Sequence, residues 1–233
     1  MAKRTAKNAD GPRDHTLSLE TLLWDLGYAR VAGVDEVGLG PWAGPVVAAA
    51  VVFPPRTRVI PGVDDSKKLT PARREELAVA IRGCAAGVAL GTVEVAELDA
   101  IGVHNAGLEA MRRAVTALGP APHYLLVDAR CVPDVAMGQT SYVRADAFIY
   151  SVAAASIVAK VYRDALMLEM DGRFPNYGFG QHMGYGTAAH LAALERLGPC
   201  EIHRRSFAPV RRVVAGERNQ GEEPGKGAGK LHP

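Results

Sequence analysis

Residues 30–53 read RVAGVDEVGLGPWAGPVVAAAVVF, which is two apolar runs joined by a glycine-rich turn. The second run is rich in valine and apolar at nearly every position, which predicts a β-strand buried on both faces. Asp35 and Glu36 lie near the end of the first run, and carboxylates in apolar surroundings are costly unless something compensates their charge. This stretch therefore predicts strands of a buried sheet, with a candidate functional site where the first strand ends.

Predicted strands and helices alternate along the rest of the chain. Apolar runs predict further strands at residues 88–95 (VALGTVEV), 123–128 (HYLLVD) and 141–145 (SYVRA). Caps and helical spacing predict helices from Pro71 after a Thr70 cap, from about Asn105 to Leu118, from about Ser151 to Met170, and over 187–198. Residues 176–187 (NYGFGQHMGYGT) are predicted to form a loop. This alternation predicts an α/β fold in which helices pack on a mixed β-sheet.

The composition is that of one soluble globular domain with short tails. Hydrophobic residues make up 48% and charged residues 22% of the 233 residues, which excludes a wholly disordered chain, a collagen-like fibre and a disulfide scaffold. Residues 1–15 and 216–233 are polar and without periodicity, so we expect disordered tails flanking a domain of residues 16–215. Three distant cysteines, with no signal peptide or membrane-length apolar run, predict a cytoplasmic protein without membrane contact.

Four acidic residues stand out because each lies at or just after a predicted strand: Asp35, Glu36, Asp128 and Asp146. If these carboxylates converge, their mutual repulsion demands a cation, and Mg²⁺ prefers such oxygen ligands. The alternative is four separate cap or turn carboxylates. The spacing alone leaves both interpretations open.

The glycine turn, residues 38–44 (GLGPWAG), has to be compared with the GxGxxG fingerprint of dinucleotide-binding proteins. Its third glycine comes one residue too late, Pro41 interrupts it, and a predicted strand follows where the fingerprint needs a helix. A nucleotide-cofactor oxidoreductase is therefore nearly excluded. What remains is either an ordinary β-turn or a tight turn whose N–H groups approach a sugar or phosphate closely.

Six sequence blocks, taken together, point to a known family. They are AGVDEVGLGPWAGPVV, DDSKKL, LLVDAR, RADAF…AAASIVAKVYRD, FPNYGFGQHMGYGT and HRRSFAPV. In their order and spacing they resemble bacterial type 2 ribonuclease H, ribonuclease HII, over about residues 29–215. The resemblance implies a ribonuclease H-like mixed β-sheet flanked by helices, with a helical C-terminal portion, in a monomeric protein.

The resemblance also implies a function. Enzymes of this family hydrolyse the RNA strand of RNA–DNA hybrids and cut on the 5′ side of ribonucleotides embedded in duplex DNA, leaving 3′-hydroxyl and 5′-phosphate ends. Two divalent cations, Mg²⁺ or Mn²⁺, clamp the scissile phosphate in such a mechanism. The expected partner is therefore an RNA–DNA hybrid or a ribonucleotide-containing duplex, in DNA replication and repair.

Matching the family motifs residue by residue assigns expected roles. The metal-binding and catalytic carboxylates correspond to Asp35, Glu36, Asp128 and Asp146. The turn that senses the ribose 2′-hydroxyl, partly through backbone groups, corresponds to Gly38, Leu39 and Gly40. The tyrosine that packs on the sugar corresponds to Tyr185, and the phosphate-contacting lysines correspond to Lys67 and Lys68.

Three positions depart from the family pattern, each by loss of a cation. Leu39 and Phe148 stand where arginine (or lysine at 39) is usual, and Met183 stands where lysine is usual. The net charge of +2, from 27 basic and 25 acidic residues, also lacks the strongly basic character of many nucleic-acid-binding proteins. We therefore expect weak electrostatic binding of phosphate groups.

The alternative interpretation is that the protein is a hybrid-binding relative of these enzymes with weak or lost cleavage. All four carboxylates are present, which argues against it.

Several other residues allow two interpretations. One basic cluster either binds the backbone of a duplex or forms a solvated helix face. It consists of Arg204, Arg205, Arg211 and Arg212. Trp42 and Phe148 either stack on nucleic acid or pack within the protein. His182 is expected to be a structural loop residue, with proton transfer as the alternative. Cys200 and His203 resemble half of a zinc site without a second pair.

Overall fold

The computed structural model describes residues 16–216, so the predicted tails at 1–15 and from residue 217 lie outside the described residues. Its centre is a five-stranded sheet with the order β3-β2-β1-β4-β5. The strands are β1 (Val31–Val37), β2 (Val46–Val52), β3 (Gly87–Val93), β4 (Tyr124–Asp128) and β5 (Gly138–Tyr142). The predicted mixed sheet is confirmed.

The pairing of the strands determines where their carboxylates lie. β2 pairs antiparallel with both β1 and β3, whereas β4 pairs parallel with both β1 and β5. Val34 of β1 is in register with Val127 of β4. The next residues along the two strands, Asp35 and Asp128, therefore lie at the same edge of the sheet.

Eight helices surround the sheet in the described part of the chain. They are α1 (Ser18–Asp25), α2 (Pro71–Cys84), α3 (Val95–Ile101), α4 (Val103–Thr116), α5 (Tyr150–Arg173), α6 (Phe179–His182), α7 (Ala188–Leu197) and α8 (Ala208–Val214). The last three form the expected helical C-terminal portion. None of the described helices is long and apolar enough to cross a membrane.

The helices form one layer on each face of the sheet. One apolar core lies between α4 and the face that carries Val34, and the other lies between α5, α2 and the opposite face. Strand β2 contributes to both cores, because all of its residues are buried, as its unbroken apolar run predicts. At Gly33 the helix α5 approaches so closely that a Cβ atom would overlap the backbone of Ser151.

Four local predictions were wrong or incomplete. Helices α1 and α3 were not expected, and α6 interrupts the predicted loop at 176–187. The last strand is Gly138–Tyr142 and not 141–145. It is an edge strand of sequence GQTSY with no fully buried residue, so it lacks the apolar pattern by which a strand is recognised.

Candidate active site

The ends of the neighbouring parallel strands β1 and β4 bring the first three acidic residues together. Asp35 and Glu36 are the fifth and sixth residues of β1, and Asp128 is the last residue of β4. The side chain of Asp35 is almost fully buried, with 5% of the residue exposed. Glu36 and Asp128 are partly buried beside it.

A sharp turn after β4 adds the fourth carboxylate. Ala129 has a left-handed backbone, with φ of 56°, and its N–H donates to the carbonyl of Tyr142 at 2.9 Å. The N–H of Ala145 donates to Oδ1 of Asp128 at 2.6 Å. A 3-10 turn over Ala145–Ala147 then places Asp146, which is also 5% exposed, beside Asp128.

The carboxylates repel one another in a poorly solvated place. Burial, followed by the charges of Glu36 and Asp128, raises the pKa of Asp35 well above its ordinary value. Burial and the charge of Asp128 raise the pKa of Glu36 to about 7, and burial also raises the pKa of Asp128. The charge of Asp146 also contributes to the raised pKa of Asp35 and of Asp128. The four sequence-predicted carboxylates therefore lie close together and are not separate turn residues.

Helix α5, which packs on the face of the sheet to which Asp35 points, completes the surroundings of Asp35. A hydrogen bond from Ser156 on α5 lowers the pKa of Asp35, although burial outweighs it. Ser156 is also hydrogen-bonded to Ser66, Oγ to Oγ at 2.9 Å. Ser66 begins the 3-10 turn Ser66–Lys68, so the serine pair joins this turn to α5. Sequence reasoning missed Ser156, since a serine in a long apolar helix carries no signal of its partner.

The two candidate lysines have different surroundings. Nζ of Lys67 is 3.5 Å from Oδ2 of Asp146. Desolvation lowers the pKa of Lys67, but the charges of Asp146, Asp65 and Asp35 outweigh it and leave the pKa raised. Nζ of Lys68 instead pairs with Oδ1 of Asp64 at 3.0 Å. The structure thus brings Lys67, and not Lys68, to the carboxylates.

The donor set fits a hard divalent cation by its chemistry. All four side chains offer carboxylate oxygens, and Oε2 of Glu36 is buried with no hydrogen-bond partner in the described part of the protein. A buried carboxylate oxygen without a partner is unfavourable unless a cation satisfies it. Between residues 16 and 216 no three such side chains are arranged to hold an ion as they stand. Ion binding would therefore draw the carboxylates together.

The glycine turn lies against the loop that carries Tyr185. A Cβ atom on Gly40 would be 3.8 Å from Cε1 of Tyr185, and the N–H of Trp42 donates to the carbonyl of Gly184 at 2.8 Å. Tyr185 is 42% exposed. The side chain of Leu39 points elsewhere, toward Gly107 of α4, where a Cβ would lie 3.0 Å from its Cδ2.

The turn and the carboxylates are joined by a small cavity of about 180 Å³. Glu36, Asp128 and Leu39 line it, together with His104 and Arg130. Arg130 follows Ala129 and is exposed, and its charge is among the smaller influences that lower the pKa of Glu36. The positive charge of Arg130 at this edge was not identified from the sequence.

The expectation that Arg204 belongs to an exposed basic cluster was wrong. Arg204 is completely buried and hydrogen-bonds to backbone carbonyls of the glycine turn, whereas Arg205 and Arg211 are exposed. Arg163 of α5 is also completely buried and donates to the carbonyls of Ala43 and Met183. The segment that carries Arg204 packs under the turn, which its local sequence does not reveal.

Histidines form a buried group behind Tyr185. His182 is hydrogen-bonded to the carbonyl of Tyr177 and accepts from the N–H of Gly184, in agreement with a structural loop role. His190 and His203 are in contact through their Nε2 atoms at 3.1 Å. Burial lowers the pKa of both to about 4. Sequence reasoning did not find the pair, because its members lie on different segments.

The two aromatic candidates differ in exposure. The ring of Trp42 packs 5.4 Å from that of His190, centroid to centroid, and a Cβ on Gly186 would overlap it. Trp42 therefore has a packing role. Phe148 is 40% exposed, with its ring 5.8 Å from that of Tyr142 in an edge-on arrangement, so stacking on a ligand remains available to it.

The fold is similar to that of a solved nuclease. Ribonuclease H2 from Pyrococcus horikoshii OT3 superimposes with a TM-score of 0.66 and 26% sequence identity, covering 82% of this chain and 100% of that chain. The fold and the clustered carboxylates define a nuclease of the ribonuclease H class.

Sequence comparison identifies the family within this class. The family model described as Ribonuclease HII matches residues 32–210. Ribonuclease HII of Geobacillus thermodenitrificans is 50% identical over 212 residues, which cover 91% of this chain and 81% of that protein. Ribonuclease HII of Myxococcus xanthus is 50% identical over 217 residues, covering 92% and 74% respectively. The chain belongs to the ribonuclease HII family, and ribonuclease H activity on RNA–DNA hybrids is the activity of that family.

Proposed function

We propose that this protein hydrolyses the RNA strand of RNA–DNA hybrids and cuts on the 5′ side of ribonucleotides embedded in duplex DNA, leaving 3′-hydroxyl and 5′-phosphate ends. The observation that carries the proposal is the gathering of Asp35, Glu36, Asp128 and Asp146 where β1 and β4 end, with the glycine turn close by. A monomeric, cytoplasmic enzyme whose domain spans residues 16–215 belongs to the same proposal.

The four carboxylates would hold two divalent cations, Mg²⁺ or Mn²⁺. Such ions supply Lewis-acid activation of the attacking water and of the leaving oxygen. The protein contributes a site with an excess of negative charge, since burial and the charge of Asp128 raise the pKa of Glu36 to about 7. Lys67, whose Nζ is 3.5 Å from Oδ2 of Asp146, would offset part of this negative charge and would contact a phosphate of the substrate.

The glycine turn and Tyr185 would recognise the ribose. A 2′-hydroxyl both donates and accepts hydrogen bonds and is the group that distinguishes RNA from DNA at a given site. Gly40 is exposed and lies beside the Tyr185 ring, so backbone groups and an aromatic surface meet where a sugar would pack. Leu39 takes part only through its backbone, because its side chain points toward α4.

A cleavage assay tests this proposal. The protein is incubated with Mg²⁺ or Mn²⁺ and either an RNA–DNA hybrid or a DNA duplex with one ribonucleotide, and the product ends are analysed. We expect both substrates to be cut, with 3′-hydroxyl and 5′-phosphate ends. Binding without cleavage under either metal would instead favour the hybrid-binding alternative.

The variant Asp128→Asn separates chemistry from folding. The amide keeps the shape of the side chain and one oxygen, but it removes the negative charge that an ion needs. We expect cleavage to be abolished while the circular dichroism spectrum is unchanged. Asp134→Asn, at an exposed position, is the matched control and should cut normally. Appreciable activity of Asp128→Asn would contradict the proposed role.

A further inference from the structure

Arg204 binds the inner side of the glycine turn through its whole guanidinium group. Its Nη2 donates to the carbonyl of Gly38 at 2.6 Å, its Nη1 to that of Leu39 at 3.1 Å, and its Nε to that of Gly44 at 2.9 Å. A further contact of 3.3 Å reaches the carbonyl of Pro45. Within the described residues, its side-chain hydrogen bonds go to backbone carbonyls alone.

The backbone of the same segment holds the turn as well. The N–H of Arg204 donates to the carbonyl of Trp42 at 2.8 Å, and the N–H of Gly44 donates to the carbonyl of Ile202 at 2.9 Å. Arg163 approaches from α5, where its Nε would be 2.5 Å from a Cβ placed on Gly38. Burial lowers the pKa of Arg204 to about 9, with the charge of Arg163 as the second cause, so the side chain stays protonated at neutral pH.

Two N–H groups of the turn have no backbone acceptor among the described residues. Within residues 16–216, neither the N–H of Leu39 nor the N–H of Gly40 donates to a backbone carbonyl. Gly38 is buried, while Gly40 is exposed beside Tyr185. Arg204 occupies the carbonyls of Gly38 and Leu39, whereas the N–H groups of Leu39 and Gly40 are available to a ligand.

We propose that Arg204 is a positioning residue for recognition of the ribose 2′-hydroxyl. By binding the carbonyls of Gly38, Leu39 and Gly44, it holds the donors of the turn in the orientation that a sugar hydroxyl requires. This inference rests on the proposed function. A planar guanidinium can bind several carbonyls at fixed angles, whereas a lysine ammonium in the same place cannot. Position 204 therefore requires the planar shape of the guanidinium group and not only its positive charge.

Equilibrium binding to two duplexes tests the role. The duplexes are identical except that one carries a single ribonucleotide, and the parent protein is Asp128→Asn in Mg²⁺, so that the substrate is not cut. The measured quantity is the ratio of the two dissociation constants. We expect Arg204→Lys, which keeps the charge, to reduce the preference for the ribonucleotide by about tenfold, the equivalent of one hydrogen bond.

Arg205→Met is the matched control, because it removes one charge from the exposed neighbouring residue. It should weaken binding to both duplexes by the same factor and leave the ratio unchanged. Arg204→Met should lose the preference at least as far as Arg204→Lys, and thermal unfolding shows whether each variant is folded. If Arg204→Met does not fold, Arg204→Lys decides the question.

Two results would overturn the inference. One is an unchanged ratio in folded Arg204→Lys, and the other is an equal loss of the ratio in Arg205→Met. A failure of the proposed function is seen separately in the parent protein. If the parent protein binds both duplexes equally and the unsubstituted protein cuts neither duplex, the proposed recognition of embedded ribonucleotides is contradicted. This result does not depend on any Arg204 variant.

Discussion

At the scale of single residues, the side chain and the backbone of Leu39 have different roles. Its side chain packs beside Gly107 and lines the cavity shared with Glu36 and Asp128. Its carbonyl accepts from Arg204, and its N–H donates to no backbone carbonyl of the described residues. A neutral side chain at this position therefore leaves the recognition geometry intact but supplies no charge to a phosphate.

The variant Leu39→Arg should strengthen binding to a hybrid and make it more dependent on salt. One additional phosphate contact steepens the slope of log K against log salt by up to about 0.9. Dissociation constants measured over a series of salt concentrations check this. Leu39→Gln, which is polar without charge, is the control and should keep the original slope. If the slope of Leu39→Arg is also unchanged, the side chain does not reach a phosphate.

At the scale of elements, the close contact between β1 and α5 sets the geometry of the site. Gly33 of β1 lies directly under the backbone of Ser151 at the start of α5. The same helix carries Ser156, which is hydrogen-bonded to Asp35, and Arg163, which donates to the carbonyl of Ala43 in the glycine turn. A helix held farther from the sheet would move both side chains away from the residues that they contact.

The variant Gly33→Ala should lower the free energy of unfolding by roughly 1–3 kcal/mol, the usual cost of overpacking a core. The reason is that its Cβ would overlap the backbone of Ser151 and force α5 away from β1. Gly83→Ala is the control, since a Cβ there meets nothing within 4 Å. In a helix this change should stabilise by about 0.5–1 kcal/mol. Urea denaturation measures both, and equal stability of Gly33→Ala and the unsubstituted protein would contradict the close approach.

The buried pair His190 and His203 should make stability depend on pH. Burial lowers the pKa of both from 6.5 to about 4, so the folded state binds fewer protons than the unfolded state between these values. Their contribution is therefore fully present above pH 6.5 and is lost as the pH falls toward 4. Each histidine accounts for at most about 3 kcal/mol of this loss.

Replacing one member of the pair checks this pH dependence. Denaturation of His203→Gln between pH 7 and pH 4 should show a shallower loss of stability than the unsubstituted protein, because one proton-linked group is gone. His104→Gln, at an exposed position, should leave the slope as it was. A slope that His203→Gln does not change would mean that the pair does not control acid sensitivity.

At the scale of the whole molecule, the net charge of +2 is an average over regions of opposite charge. Buried carboxylates repel one another where β1 and β4 end, while two buried arginines lie beneath the neighbouring turn. The carboxylates destabilise the fold when no cation is present. Metal binding should therefore be visible as a change in the stability of the whole domain.

Titration with Mn²⁺ should raise the stability of the protein. A ligand that binds only the folded state at a hundred times its dissociation constant adds about 2.7 kcal/mol. Thermal unfolding in EDTA and in increasing Mn²⁺ measures the effect. Asp128→Asn should gain much less, whereas Asp134→Asn should gain as much as the unsubstituted protein. Equal stabilisation of all three would place the ions away from the carboxylates.

The architecture and the identity of the candidate site follow from the sequence to a large extent. The continuous apolar run of β2 predicts a strand buried on both faces, and strand ends predict where Asp35 and Asp128 lie. The missed elements have weak local patterns. For example, β5 is a polar edge strand, and α3 is separated from α4 only by Gly102 with its positive φ of 83°.

The sheet, its acidic residues and the family could be inferred from the amino-acid sequence, because these depend on periodicity and on motifs within short segments. The role of Arg204 came from the folded structure. Its local sequence predicts an exposed residue, but it is buried against Gly38, which lies more than 160 residues away along the chain. The folded structure also shows that Lys67, and not Lys68, pairs with Asp146. The physical reason is that burial and electrostatic contact depend on which segments pack together, and distant segments carry no local sign of their partners.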